Sequence, residues 1–124
     1  MERTFTLEEA RAVLPEARAR IRTVAALTAE ARQLERALRD DRPAAGGVPE
    51  LKALDARVHE ELAWFAEHGV QVKGIAPALL DFPARAVQGM VLLCWLEGED
   101  DLAWYHTAET GFLGRAPIAE LRLL

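Results

Sequence analysis

The chain contains no Ser and no Asn. Serine-nucleophile chemistry is thereby excluded. Lys occurs only at Lys52 and Lys73, and Arg does the rest of the cationic work. Scarce Asn and Gln beside many charges fit a thermophile, and a GC-rich genome gives the same bias. A single cysteine, Cys94, leaves no internal disulfide, which suits a reducing compartment. The longest apolar run, Met90 to Leu96, is far too short to span a bilayer. The N-terminal MERTFTLEEA is charged and polar and lacks the apolar stretch of a secretory signal. A cytoplasmic protein is expected. A basic patch is missing too. The net charge is −5, with 11 basic and 13 acidic groups in residues 1–69 and 4 and 7 in residues 70–124. Neither half suits nucleic acid or an acidic membrane.

What is present points to a single domain over residues 1–124. A chain of this length buries roughly two thirds of its unfolded surface. Its hydrophobic content of 51% is high enough to imply an oligomer interface as well as a core. Thr6-Leu7-Glu8-Glu9 is a capping box that opens a long helix. Leu7, Ala10, Leu14, Ala17, Ile21, Val24, Ala31, Leu34 and Leu38 recur at spacings of three and four, with a gap at Thr28. That is the seam of an amphipathic or coiled-coil helix. Pro15 should kink this helix near Ala10–Leu14 or divide it. Arg42 to Gly47 is a turn, and Pro49 suits a first helical position. Leu51, Leu54, Val58, Leu62 and Phe65 form a second stripe that ends at His68-Gly69. At 1.5 Å per residue the helices reach about 50 and about 30 Å. The first therefore overhangs the second and must meet the sheet, another protomer or a different protein.

After Gly69 the period changes to that of strands. Val70 to Lys73 alternates, Leu79 to Pro83 is a short extended piece, and Val87–Leu96 and Leu102–Ala108 flank the Glu97–Asp101 loop. Gly111–Arg115 is loop-like, and Ile118–Leu124 is short and apolar. The expected class is α+β: a long N-terminal antiparallel helical hairpin (about 6–68) followed by a small, mostly antiparallel β-sheet (about 70–124). FTLEEA, LLDFPA, LLCWLEGE, the Trp-Tyr-His run and GFLGR together resemble an uncharacterised bacterial family known only as domain of unknown function 2203. The resemblance spans nearly the whole chain and implies no activity. Two positions depart from the family's pattern: Tyr105 stands between Trp104 and His106, and Ala78 stands where Gly is expected.

The rarest residues crowd into LCWLEGEDDLAWYH, Leu93 to His106. Cys94 and His106 are candidate ligands for zinc or another transition metal, with Asp81 or Glu99 as oxygen donors. Register decides whether they meet. A five-residue loop puts Cys94 opposite Trp104 and Leu92 opposite His106, all on one face. Cys94 and His106 are then diagonal neighbours about 7–8 Å apart at the backbone. A four-residue loop sends Cys94 to the other side. A lone Cys is more commonly a buried, inert side chain. A Cys–His nucleophilic pair needs an exposed thiol of lowered pKa, and Leu93 and Trp95 argue for burial. Asp81, between Leu80 and Phe82, either caps a turn before Pro83 or sits in a pocket paired with Arg115 or Arg85. Trp95 and Trp104 suit a planar ligand or a core. Asp81, Trp95, Glu99, Trp104 and Arg115 are thus candidate ligand-binding residues, and none is assigned a catalytic role. His59 and His68 read as surface residues.

The leading expectation is a self-associating, non-enzymatic protein, a homodimer or higher, that could also meet another protein through its helical hairpin. No cofactor is required on this reading. The alternative is a small metal- or ligand-binding enzyme near the Cys94–His106 hairpin.

Overall fold

The computed structural model describes residues 3–124; Met1 and Glu2, the start of the charged N-terminal run, lie outside them. Two helices precede a five-stranded antiparallel sheet, so the α+β class holds. Helix α1 spans Leu7–Arg39 and α2 spans Gly47–His68. The strands are β1 (Gln71–Ile75), β2 (Ala78–Ala86), β3 (Gly89–Leu96), β4 (Trp104–His106) and β5 (Ala116–Pro117), in sheet order β1-β2-β3-β4-β5.

The Thr6 hydroxyl accepts from the Glu9 amide at 3.0 Å, and the Glu9 carboxylate accepts from the Thr6 amide at 2.8 Å. This reciprocal cap fixes where α1 begins. Of the two outcomes expected at Pro15, a kink or a division, the division does not occur, since α1 runs unbroken through it. Pro15 lies on the exposed side, where the carbonyl deprived of its partner meets water. At the far end of α2, Gly69 takes φ 76° and its amide returns to Ala66, closing the helix. Pro49 sits within the first turn of α2, two residues after its start at Gly47.

Buried Ala10, Leu14, Ala17, Ile21 and Val24 of α1 pack with Leu80, Phe82, Ala84 and Leu93 of the sheet. Leu27 closes the gap at Thr28 and joins Ala31 and Leu54 in a smaller cluster between the helices. Arg11 and Arg18 donate to the carbonyls of Leu102 and Asp100, tying the start of α1 to the β3–β4 loop. The overhang of α1 is therefore covered by the sheet.

The strands differ from expectation in length. β2 runs through Pro83 to Ala86 rather than stopping at Pro83. Proline is tolerated there because its nitrogen points past the end of β1, where no ladder bond is asked of it. The Pro83 carbonyl on that same side accepts from the Phe5 amide at 2.7 Å. β3 begins at Gly89, after the Val87-Gln88 turn. β4 covers only Trp104–His106 rather than Leu102–Ala108, because Thr107 and Thr110 bond to one another and turn the chain. The tail adds β5 against β4. Among the described residues no helix is long and apolar enough to cross a membrane.

Candidate metal and ligand site

The register sorts the sheet into two faces. Leu80, Phe82, Ala84, Leu93 and Trp95 face the helices. Asp81, Cys94, Trp104, Leu92 and His106 take the other face, since Asp81 stands opposite Cys94, Cys94 opposite Trp104, and Leu92 opposite His106. The pairing is that of the five-residue loop. Cys94 and His106 are diagonal neighbours, with Asp81 beside both.

One ligand atom from each of Asp81, Cys94 and His106 lies within 4.8 Å of the other two, and all three residues are buried. His106 Nε2 is 3.1 Å from each carboxylate oxygen of Asp81. His106 Nδ1 lies 2.8 Å from the Thr107 carbonyl oxygen. That oxygen only accepts, so Nδ1 carries the proton and Nε2 is the ring atom offered to Asp81. Lys73 reaches in from β1, with Nζ 3.3 Å from Asp81 Oδ2. The partners of Asp81 are thus His106 and Lys73 rather than Arg115 or Arg85. Lys73 is the functional side chain that sequence reasoning missed. The alternation of Gln71 and Lys73 held the signal, and it becomes readable once Gln71 is known to stand opposite Asp81.

Cys94 meets the opposite of a nucleophile's requirements. Burial, aided by the Asp81 carboxylate, pushes its thiol up to about 12, against the pull of Arg115. The Arg115 Nη1 atom is 3.9 Å from Sγ. His106 has one ring nitrogen on Thr107 and the other on Asp81, so it is not placed to take the thiol proton. A Cys–His–Asp relay is therefore absent. The raised pKa has a sign. In the unfolded chain the thiol ionises near about 8.5. Below that value it is protonated in both states and its contribution to stability is fully present. As pH rises through about 8.5 toward the folded value of about 12, the unfolded chain ionises first and stability falls. In chelator-treated protein, Cys94→Ala is expected to flatten this alkaline decline in urea-unfolding midpoints; an unaltered slope would assign the decline to other groups.

The remaining candidates divide. Arg115 pairs bidentately with Glu99 at 3.0 and 3.1 Å and lies over the Trp104 and Phe112 rings. Glu99 also accepts from the Leu96 amide at 2.7 Å, so it builds the turn and holds Arg115 beside Cys94. Trp95 is not brought to this face. Its indole donates to the Glu99 carbonyl at 2.8 Å and Arg18 lies over its ring. Asp100 and Asp101 stay at the exposed loop, where Asp101 pairs with Arg11. His59 is exposed, and half-buried His68 stacks on Trp64.

A half-open cavity of about 440 Å³ adjoins the cluster. Asp81 and His106 form part of its wall, with Lys73, Leu92, Met90 and Phe112. Cys94 does not line it and closes the cluster from behind. Tetrahedral zinc, with bonds of about 2.0 Å to N or O and about 2.3 Å to S, sets its ligands roughly 3.3–3.7 Å apart. Asp81 and His106 already stand near that spacing, and Sγ needs a shift of about 1 Å or less.

Comparison with known proteins agrees with the sequence motifs. The family model described as an uncharacterized conserved protein, DUF2203, matches residues 3–118, and the chain belongs to that family. No curated protein matches it, and no solved structure does.

Proposed function

We propose that this chain is a metal-binding α+β protein in which Asp81, Cys94 and His106 hold zinc or a related transition metal. One observation carries the reading. With the Nδ1 proton committed to Thr107, the Nε2 lone pair of His106 faces two carboxylate oxygens at 3.1 Å. Three acceptor atoms cannot face one another across so short a gap unless a positive species lies between them. A proton or a metal fills that role. The nearby Cys94 thiol is the third donor that zinc would take up. The Nδ1–H to carbonyl bond is also how metal-bound histidines are oriented. Three protein ligands with a cavity beside them match centres that keep an open coordination position. A cytoplasmic, reducing setting would keep the single thiol free for this use.

The test is elemental analysis of untagged protein dialysed against zinc or cobalt. Near-stoichiometric metal that is lost in His106→Ala supports the centre. Absence of metal from the unmodified chain would leave His106 and Asp81 as a buried hydrogen-bonded pair and overturn the reading. Association through the helical hairpin is the other reading of the sequence; the overhang of α1 that helped to suggest it packs on the sheet, and sedimentation of the untagged chain tests it.

A further inference from the structure

Resting on the metal reading above, we infer that the cavity beside the centre takes a small monocarboxylate carrying a short apolar body. The charges around the centre set the head group. A divalent metal held by the Asp81 carboxylate and the Cys94 thiolate is formally neutral. Lys73, 3.3 Å from Asp81 on the cavity wall, then leaves one positive charge over. Arg115 adds none, because Glu99 neutralises it in a bidentate pair. A single anionic group therefore balances the site, and a phosphate dianion would exceed it. One carboxylate oxygen would complete the metal's coordination on the side where Asp81 and His106 open to the cavity, and the other would meet the Lys73 ammonium.

The rest of the wall sets the body of the ligand. Leu79, Pro83, Leu92, Met90 and Phe112 surround the polar end. Met90 and Phe112 are 50% and 37% exposed, which is a hydrophobic rim left open to solvent rather than closed in the core. A cavity of about 440 Å³ falls in the small-molecule range. The wall thus combines one charged cluster with several apolar side chains, so an amphipathic acid fits where a sugar or a polyanion does not.

The test is calorimetric titration of the zinc-loaded full chain with hexanoate, acetate and hexan-1-ol. Hexanoate is expected to bind at least about tenfold tighter than acetate, because its longer chain buries methylenes that acetate lacks. It should also bind far more tightly than hexan-1-ol. Phe112→Ala, a surface change that leaves the three ligands untouched, is expected to weaken hexanoate severalfold while zinc content and acetate affinity stay the same. Zinc uptake without a preference for hexanoate over acetate, or equal binding of hexanoate and hexan-1-ol, overturns this inference and leaves the metal reading standing. A chain that takes up no zinc overturns both.

Discussion

Zinc held free at about 1,000 times its dissociation constant is expected to raise the thermal unfolding midpoint of the chelator-treated chain by about 10 °C or more, and His106→Ala is expected to abolish the rise. The ligands are assembled only in the folded state, by residues from β2, β3 and β4. Binding free energy is then folding free energy. Free zinc at about 1,000 times its dissociation constant contributes about 4 kcal/mol. For a domain of this size each kcal/mol moves the midpoint by roughly 3–5 °C. Residual binding of zinc to the unfolded thiol and imidazoles would reduce the shift without removing it. Asp81→Asn should behave like His106→Ala toward zinc, because the amide oxygen is a poor substitute for a carboxylate in a site this buried. Differential scanning fluorimetry with and without zinc reads all three proteins. A midpoint indifferent to zinc in the unmodified chain would mean that Asp81, Cys94 and His106 hold no metal.

Much of this site was legible in the sequence, and its limits have physical causes. The helix ends followed from local chemistry: Thr6 and Glu9 cap one end of the hairpin, and Gly69 takes the left-handed conformation at the other. The face shared by Cys94, Trp104 and His106 depended on a loop length that alternation cannot fix, because a one-residue slip inverts every side chain. The side chain of Glu99 decides it. Its carboxylate binds the Leu96 amide and its carbonyl binds the Trp95 indole, so the turn closes directly after Leu96. No local propensity encodes that pair of contacts. Pro83 misled for a different reason. The rule against proline in a central strand assumes a neighbour on both sides, and β1 ends before reaching it. Lys73 was hidden because its role depends on which residue of β2 stands opposite Gln71. Strand β5 is two residues long and carries no periodic signal at all.

Phe82→Ala is expected to destabilise the chain by about 3–5 kcal/mol, which compares with a total stability of roughly 5–15 kcal/mol for a domain. Phe82 is fully buried and stands opposite Leu93 in the helix-facing layer. Phe5 meets it edge to face, with ring centroids 5.4 Å apart. Phe5 is in turn fixed by the hydrogen bond its amide donates to the Pro83 carbonyl, so the chain entering α1 and the middle of β2 share one contact. Removing the ring leaves a cavity whose walls are backbone-anchored on both sides and cannot collapse into it. Leu113→Ala is the matched control: at 97% exposure it should shift stability by no more than about 0.5 kcal/mol. Urea unfolding measures both, and a loss below about 1 kcal/mol for Phe82→Ala would contradict the packing described. Asp81 and Phe82 are adjacent on β2 and point to opposite faces of the sheet. Their substitutions should therefore separate. Phe82→Ala keeps its zinc under conditions where it remains folded, while Asp81→Asn loses zinc with the helix-facing core intact. That separation tests whether the sheet divides its work between one face that holds the fold and one that holds the ligand.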